Sequence, residues 1–273
     1  KIGSNPAASN ARITTLLRLA WPKPQFNTPY STLLLMSAIS EKAINYFCSM
    51  ARKKLERFEE NAKMRHVIEP SRQQVLEGLS LQGNWGLRIF GNDNPIVLEL
   101  GCGKGEYTVA LAKRNPNVNY IGVDIKGARI WYGAKEAEEA GLKNVAFLRT
   151  QIELLDHCFD GGEVSEIWIT FPDPQIKHTR IKHRLTHPKF MMRYQYILKS
   201  KGLLHLKTDS EFLHGYTIGL LQLMGFPIHR VFHNIDKQDP RNNEPVLKEV
   251  QTHYEQLFRE EGKAITYIRW SFE

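Results

Sequence analysis

The sequence predicts an α/β protein, a mostly parallel sheet with helices on both faces, and three observations carry that expectation. Residues 96–100 (IVLEL) form a short apolar run rich in β-branched side chains, as a buried strand requires. Gly101, Gly103 and Gly105 follow at once, and residues 107–114 then read as a helix. The strand–turn–helix pattern recurs in residues 120–140, where Tyr120, Ile121 and Val123 lead to Asp124 and a helical stretch closes at Gly141.

The remaining elements continue the alternation. Residues 144–148 give a third strand, followed by Thr150 and Gln151, and residues 165–170 (SEIWIT) give a fourth. Residues 190–197 read as a helix and 203–207 as a strand reaching Thr208 and Asp209. A helix over 212–224 stops at Gly225, and a terminal strand covers 265–272. The chain shows no internal repeat. A helix set between the closing strands implies a mixed sheet whose last strands run antiparallel.

Composition bounds the function. The 273 residues are 42% hydrophobic, enough for one sizeable core, and the formal net charge of +8 suits a polyanionic partner. Cys48, Cys102 and Cys158 are too far apart for a local metal knuckle and are odd in number, which points to a reduced, cytoplasmic protein without a metal site. No run of 18 apolar residues supports a membrane span. Residues 1–49, with five basic side chains, one acidic and Pro22, Pro24 and Pro29, are expected to be a poorly ordered or non-native extension. Residues 50–94 read as an arm and lead-in, with Arg52, Lys53, Lys54 and Arg57 forming either a solvated helix face or a segment lying along nucleic acid. Residues 79–94 are expected to be a loop or an extended lead-in, and the polar stretch 234–245 an exposed, mobile loop. Residues 95–273 form the main domain.

The chemistry concentrates at strand ends. A strand, a glycine turn and a helix start place backbone N–H groups over a crevice. The spacing G-C-G-K-G is not the G-x-G-x-x-G of a dinucleotide site, and Glu99 makes the crevice anionic, which suits a cationic ligand such as the sulfonium of S-adenosylmethionine. Asp124 stands where an acid receives a ribose diol. After the fourth strand, Phe171 can wall a flat ligand, and Pro172 and Pro174 hold the Asp173 carboxylate rigidly. Lys177, His178, Arg180, Lys182, His183 and Arg184 then put six potentially cationic groups into eight positions, a grip for phosphates.

With LELGCGKGE (98–106), YIGVDI (120–125), ITFPDP (169–174), TDSE (208–211) and THYE (252–255), the chain resembles the bacterial tRNA (guanine-N7)-methyltransferase family from about Met50 to the C-terminus. The resemblance implies a Rossmann-like class I methyltransferase with a seven-stranded sheet, S-adenosylmethionine as cofactor and tRNA as partner. It implies methyl transfer to N7 of a guanosine in the tRNA variable loop, and a monomer or homodimer needing no other protein. By the family pattern Glu99, Gly101, Gly103, Asp124, Gln151 and Asp173 contact the cofactor, and Asp173 is the active-site carboxylate. Lys177, Asp209, Thr252 and Glu255 contact the target nucleoside, and Thr179, Arg180, Lys182, His183 and Arg184 belong to the RNA-binding segment. Gln175 and Ile176 stand where the family usually has tryptophan and proline, Gln151 where it has an acid, and Asp124 where it has glutamate. An amide at 151 still accepts a hydrogen bond, without charge assistance, so weaker cofactor binding is expected.

Guanine N7 carries an in-plane lone pair and gives up no proton before it is methylated, so alignment is the main demand. A carboxylate, Asp173 or Asp209, can orient the ring through its N1 and N2 hydrogens and stabilise it as it becomes cationic. Two other readings go with the same residues: a class I methyltransferase of another RNA or a small molecule, and a non-catalytic RNA-binding protein with a degenerate cofactor fold.

Overall fold

A computed structural model describes residues 41–239 and 244–273. The expectation for residues 1–49 lies outside them except for the start of one helix. Residues 1–60 and 61–273 form two compact units. Of the first, the described part is helix α1 (Glu41–Asn61).

The second unit is a sheet with helices on both faces. Strand β1 (Val67–Ile68) and helix α2 (Arg72–Leu76) precede β2 (Ile96–Leu100), α3 (Glu106–Arg114), β3 (Asn119–Asp124), α4 (Gly127–Glu139), β4 (Val145–Arg149) and β5 (Val164–Thr170). After α5 (Pro188–Ile197) come β6 (Leu198–Thr208), α6 (Glu211–Met224), β7 (Ile228–Phe232), α7 (Val246–Glu249), α8 (His253–Glu260) and β8 (Thr266–Trp270). The sheet order is β1-β4-β3-β2-β5-β6-β8-β7. The six strands placed along the sequence are present, β7 completes the seven that the resemblance implies, and β1 adds an eighth at the edge, pairing Val67 with Phe147 and Ile68 with Leu148. Two residues are too short a run to show alternation in the sequence. Only β8 runs against the rest; it lies between β6 and β7 and pairs antiparallel with both.

Period-two alternation divides the strands between two cores. Leu98, Leu100, Ile121, Val123, Ile167, Ile169, Leu204, Leu206 and Ile268 share one with Phe190, Met191 and Tyr194 of α5 and Leu213 and Leu221 of α6. Val97, Tyr120, Trp168 and Tyr267 share the other with Tyr107, Val109 and Leu111 of α3 and Ile130 and Ala134 of α4.

One loop expectation is corrected. The lead-in holds a π-helical turn at Gly86–Phe90, anchored by a fully buried Trp85 whose indole N–H donates to the Cys158 carbonyl at 2.9 Å. Burial of that ring fixes a segment that composition marks as loop. In the described part of 234–245, Asp236, Lys237 and Asp239 are exposed, as expected; Ile235 alone is buried, with its N–H donating to the Ile265 carbonyl at 2.8 Å, and Asp236 pairs with Arg259 at 2.6 Å. Lys237 and Asp239 follow within that described part, whereas Arg241 lies outside the described residues.

Candidate active site

Chain order runs outward from β2 through β3 and β4 on one side, then crosses back to β5 and β6 on the other. The crevice at such a reversal, beyond the carboxyl ends of the strands, is where open α/β sheets bind ligands. Asp124 ends β3, and Gln151, Gly101, Asp173 and Asp209 follow the ends of β4, β2, β5 and β6, so five neighbouring strands carry them along one edge. At the usual strand spacing that edge is roughly 20 Å long.

Geometry explains the glycines. Gly105 has φ +74°, and a Cβ there would lie 2.5 Å from the Phe147 ring. Gly101, at φ +73°, has nothing within 4 Å of the place its Cβ would take. The turn is thus closed toward the core and open toward the crevice. Asp124 pins it from the side: one carboxylate oxygen accepts the Gly103 N–H at 2.9 Å and the other the Lys126 N–H at 2.8 Å. Each oxygen keeps a further acceptor site for a diol. Gln151 is exposed at the start of a 3-10 turn.

Glu99 lies beneath the turn. It is 3% exposed, accepts the Thr108 N–H at 2.8 Å and the Thr108 hydroxyl, and accepts the Thr170 hydroxyl at 2.6 Å. The Thr108 N–H is one of the unpaired donors in the first turn of α3, so Glu99 caps that helix from β2 while tying β2 to β5. Burial raises its carboxyl to about 7, partly offset by the threonine hydrogen bonds.

Asp173 is exposed, and one of its oxygens accepts the Gln175 N–H at 3.0 Å. The turn that carries it is bounded by two non-glycine residues at positive φ, Phe171 at 46° and Gln175 at 47°, a strained geometry of the kind that clusters at working sites. Thr170 and Lys207 are paired in register, and the Phe171 N–H donates to the Lys207 carbonyl at 2.8 Å. Asp173 and Asp209 therefore follow the ends of adjacent strands. Asp209 is half-buried and meets Lys263 at 3.5 Å. Phe171 packs against Phe258 of α8, with ring centroids 6.0 Å apart.

The basic tract separates into two kinds of residue. Lys177, His178, Thr179, Arg180, Lys182 and His183 are exposed on or beside a 3-10 turn, where positions three apart eclipse and align Arg180 with His183. Arg184 is 4% exposed and faces inward. In this structure it is not open to phosphate, because aromatic rings and backbone carbonyls take up its guanidinium.

The THYE segment also departs from expectation. Thr252 caps α8 by accepting the Glu255 N–H at 3.2 Å. Glu255 is fully buried, 2.6 Å from Lys207 and 2.9 Å from Arg259. The side chains left exposed are His253 and Tyr254, and the His253 N–H donates to Glu106 at 3.0 Å, which sets the start of α8 beside the start of α3. Lys207, fully buried, also donates to the Leu247 and Val250 carbonyls at 2.7 and 2.9 Å. Burial pulls its ammonium down to about 8, against the Glu255 carboxylate, which holds it up. The signal for Lys207 was a lysine at an inward position of LLHLKT, which needs a buried acid for partner.

Among the described residues no group of three His, Cys, Asp or Glu is placed to hold a metal, and no helix is long and apolar enough to cross a membrane. A sheet with one reversed strand, a glycine turn at its reversal and an acid after the next strand define a class I, S-adenosylmethionine-dependent methyltransferase. Residues 93–268 match a family described as "Putative methyltransferase". The chain is 56% identical over 224 residues to the tRNA (guanine-N(7)-)-methyltransferase of Christiangramia forsetii, a match covering 82% of this chain and 99% of that protein. It is 52% identical over 196 residues to that of Porphyromonas gingivalis, covering 72% and 79%. A solved 16S rRNA methyltransferase aligns with TM-score 0.50 at 12% identity, over 66% of this chain and 88% of that one, which shows the fold alone. The chain belongs to the tRNA (guanine-N7)-methyltransferase family.

Proposed function

We propose that this protein methylates N7 of a guanosine in the variable loop of tRNA, with Asp173 as the active-site carboxylate. The observation that carries the reading is an exposed acid in a strained turn at the sheet's reversal, one strand from Asp209 and four residues before an exposed cationic tract. Gly101 and Gly103, with Asp124 and Gln151 alongside, would hold S-adenosylmethionine in the open side of the turn, while Glu99 fixes the floor from below. The cofactor supplies a methyl group activated on a sulfonium. Asp173 accepts hydrogen bonds from guanine N1 and N2 and faces the ring as it gains positive charge; adenine offers no donors at those positions. Asp209 can share either task. Lys177, Thr179, Arg180, Lys182 and His183 would meet the nucleoside and its flanking phosphates. Thr252 and Glu255 would shape the pocket wall without touching the base. The target base must leave its stack to enter. A cytoplasmic location and a monomer or homodimer go with this reading.

The test incubates the protein with unmodified tRNA transcript and methyl-labelled S-adenosylmethionine, then digests the RNA. The labelled nucleoside is expected to be 7-methylguanosine from the variable loop. Asp173→Ala should lower kcat by 100-fold or more, on the order of other electrostatic groups removed from active sites, and leave cofactor affinity within a few-fold. Near-normal turnover in that variant would remove Asp173 from the mechanism.

A further inference from the structure

Arg184 joins two segments that the sequence keeps apart. Its Nε and Nη2 donate to the Gln175 carbonyl at 3.3 and 3.1 Å, and Nη2 lies 3.5 Å from the Ile176 carbonyl. Its guanidinium carbon is 4.7 Å from the Phe212 ring centre and 4.4 Å from the Tyr216 ring centre. One buried cation thus holds the exit of the Asp173 turn against the first turns of α6, just past Asp209. Phe212 nevertheless remains 45% exposed, and Ile176 is 66% exposed. The Ser210 hydroxyl caps α6 on the Leu213 N–H at 3.2 Å, which fixes the backbone that carries the ring, and the guanidinium backs the phenyl group.

An aromatic ring left in water, three residues after Asp209 and tied through Arg184 to the segment that carries exposed Lys177, Arg180 and Lys182, has the two parts of a single-strand nucleic-acid platform. The cations attract the backbone, and a π-face takes a base of any identity. An adjacent guanidinium draws on the ring's negative face and favours an electron-rich partner stacked on it. We propose that Phe212, backed by Arg184, is a stacking platform for an unpaired base of the bound tRNA next to the base being methylated. The inference rests on the tRNA methyltransferase reading above.

Three variants test it: Phe212→Leu keeps apolar bulk and removes the π-face, Phe212→Ala removes both, and Phe212→Trp enlarges the face. Phe212→Leu and Phe212→Ala should raise KM for tRNA by about 5- to 100-fold, the range expected when one base stack is removed. Their kcat should stay within about two-fold and their affinity for S-adenosylhomocysteine unchanged. Phe212→Trp should restore KM and add indole fluorescence that tRNA quenches, measured against the wild-type signal. An unchanged KM for tRNA in Phe212→Leu overturns the proposal, as does an added indole whose emission ignores tRNA. Should the wild-type protein make no 7-methylguanosine, the functional reading falls, while the quenching titration still decides the platform.

Discussion

The two faces of the central sheet are cut from the same strands, yet they solve different problems. On the first, Leu98, Leu100, Ile167, Ile169, Leu204 and Leu206 meet α5 and α6 almost wholly through hydrocarbon. On the second, the residues between them are Glu99, Trp168, Thr170, His205 and Lys207, all buried. His205 stacks on Trp168 at 4.0 Å between ring centres, meets the Tyr267 hydroxyl at 2.6 Å and pairs with Glu166 at 3.2 Å. The first face holds the molecule together through area and fit, which tolerate exchange of one hydrocarbon for another. The second holds particular loops in particular places, because a buried charge or hydroxyl has few acceptable partners. Glu99 fixes the start of α3 beneath the glycine turn, and Lys207 with Glu255 fixes the segment of α7 and α8.

That contrast can be broken or sharpened by substitution. The largest effect is expected from Lys207→Met, which leaves Glu255 buried with Arg259 as its remaining ionic partner; a loss of about 3–5 kcal/mol is expected by urea denaturation. Leu206→Ala, one residue away on the other face, should cost about 2–5 kcal/mol through a cavity. The two differ in repair: adding Glu255→Leu should recover much of the loss from Lys207→Met, as a double-mutant cycle would show. Failure to recover would mean that the ion pair is replaceable by nothing apolar.

Glu99→Gln tests the second face through pH. The folded-state carboxyl titrates near 7 against an unfolded value near 4.5, so between those values the folded protein binds more protons than the unfolded one. Its contribution to stability is therefore full below 4.5 and falls as pH rises through 7, by up to about 3 kcal/mol. Denaturation midpoints measured from pH 4.5 to 7.5 should decline less steeply in Glu99→Gln than in the wild type. Equal slopes would place the proton elsewhere. The smallest change in stability, within about 0.5 kcal/mol, is expected from Arg180→Ala and Lys182→Ala on the exposed tract. Each should instead flatten the salt dependence of tRNA binding, by about 0.7–0.9 in the log–log slope for every phosphate it no longer neutralises. An unchanged slope would mean that those charges do not meet phosphate.

Much of this was readable along the chain. Apolar runs marked β2, β3 and β5, the first two ending at a glycine and an acid, since strand burial and turn geometry are local demands written in neighbouring residues. Asp173 and the exposed cations stood out for the same reason, as did the motifs that placed the chain in its family. Tertiary structure decided what depends on partners far away in sequence. It turned Glu255 inward onto Lys207, 48 positions earlier, and withdrew Arg184 from the cations around it to lie between Phe212 and Tyr216. It added β1 by pairing two residues with β4. A charge's identity is local, but whether it faces water, an acid or an aromatic ring is set by long-range packing, and for Arg184 and Glu255 that packing separates holding the site from touching the substrate.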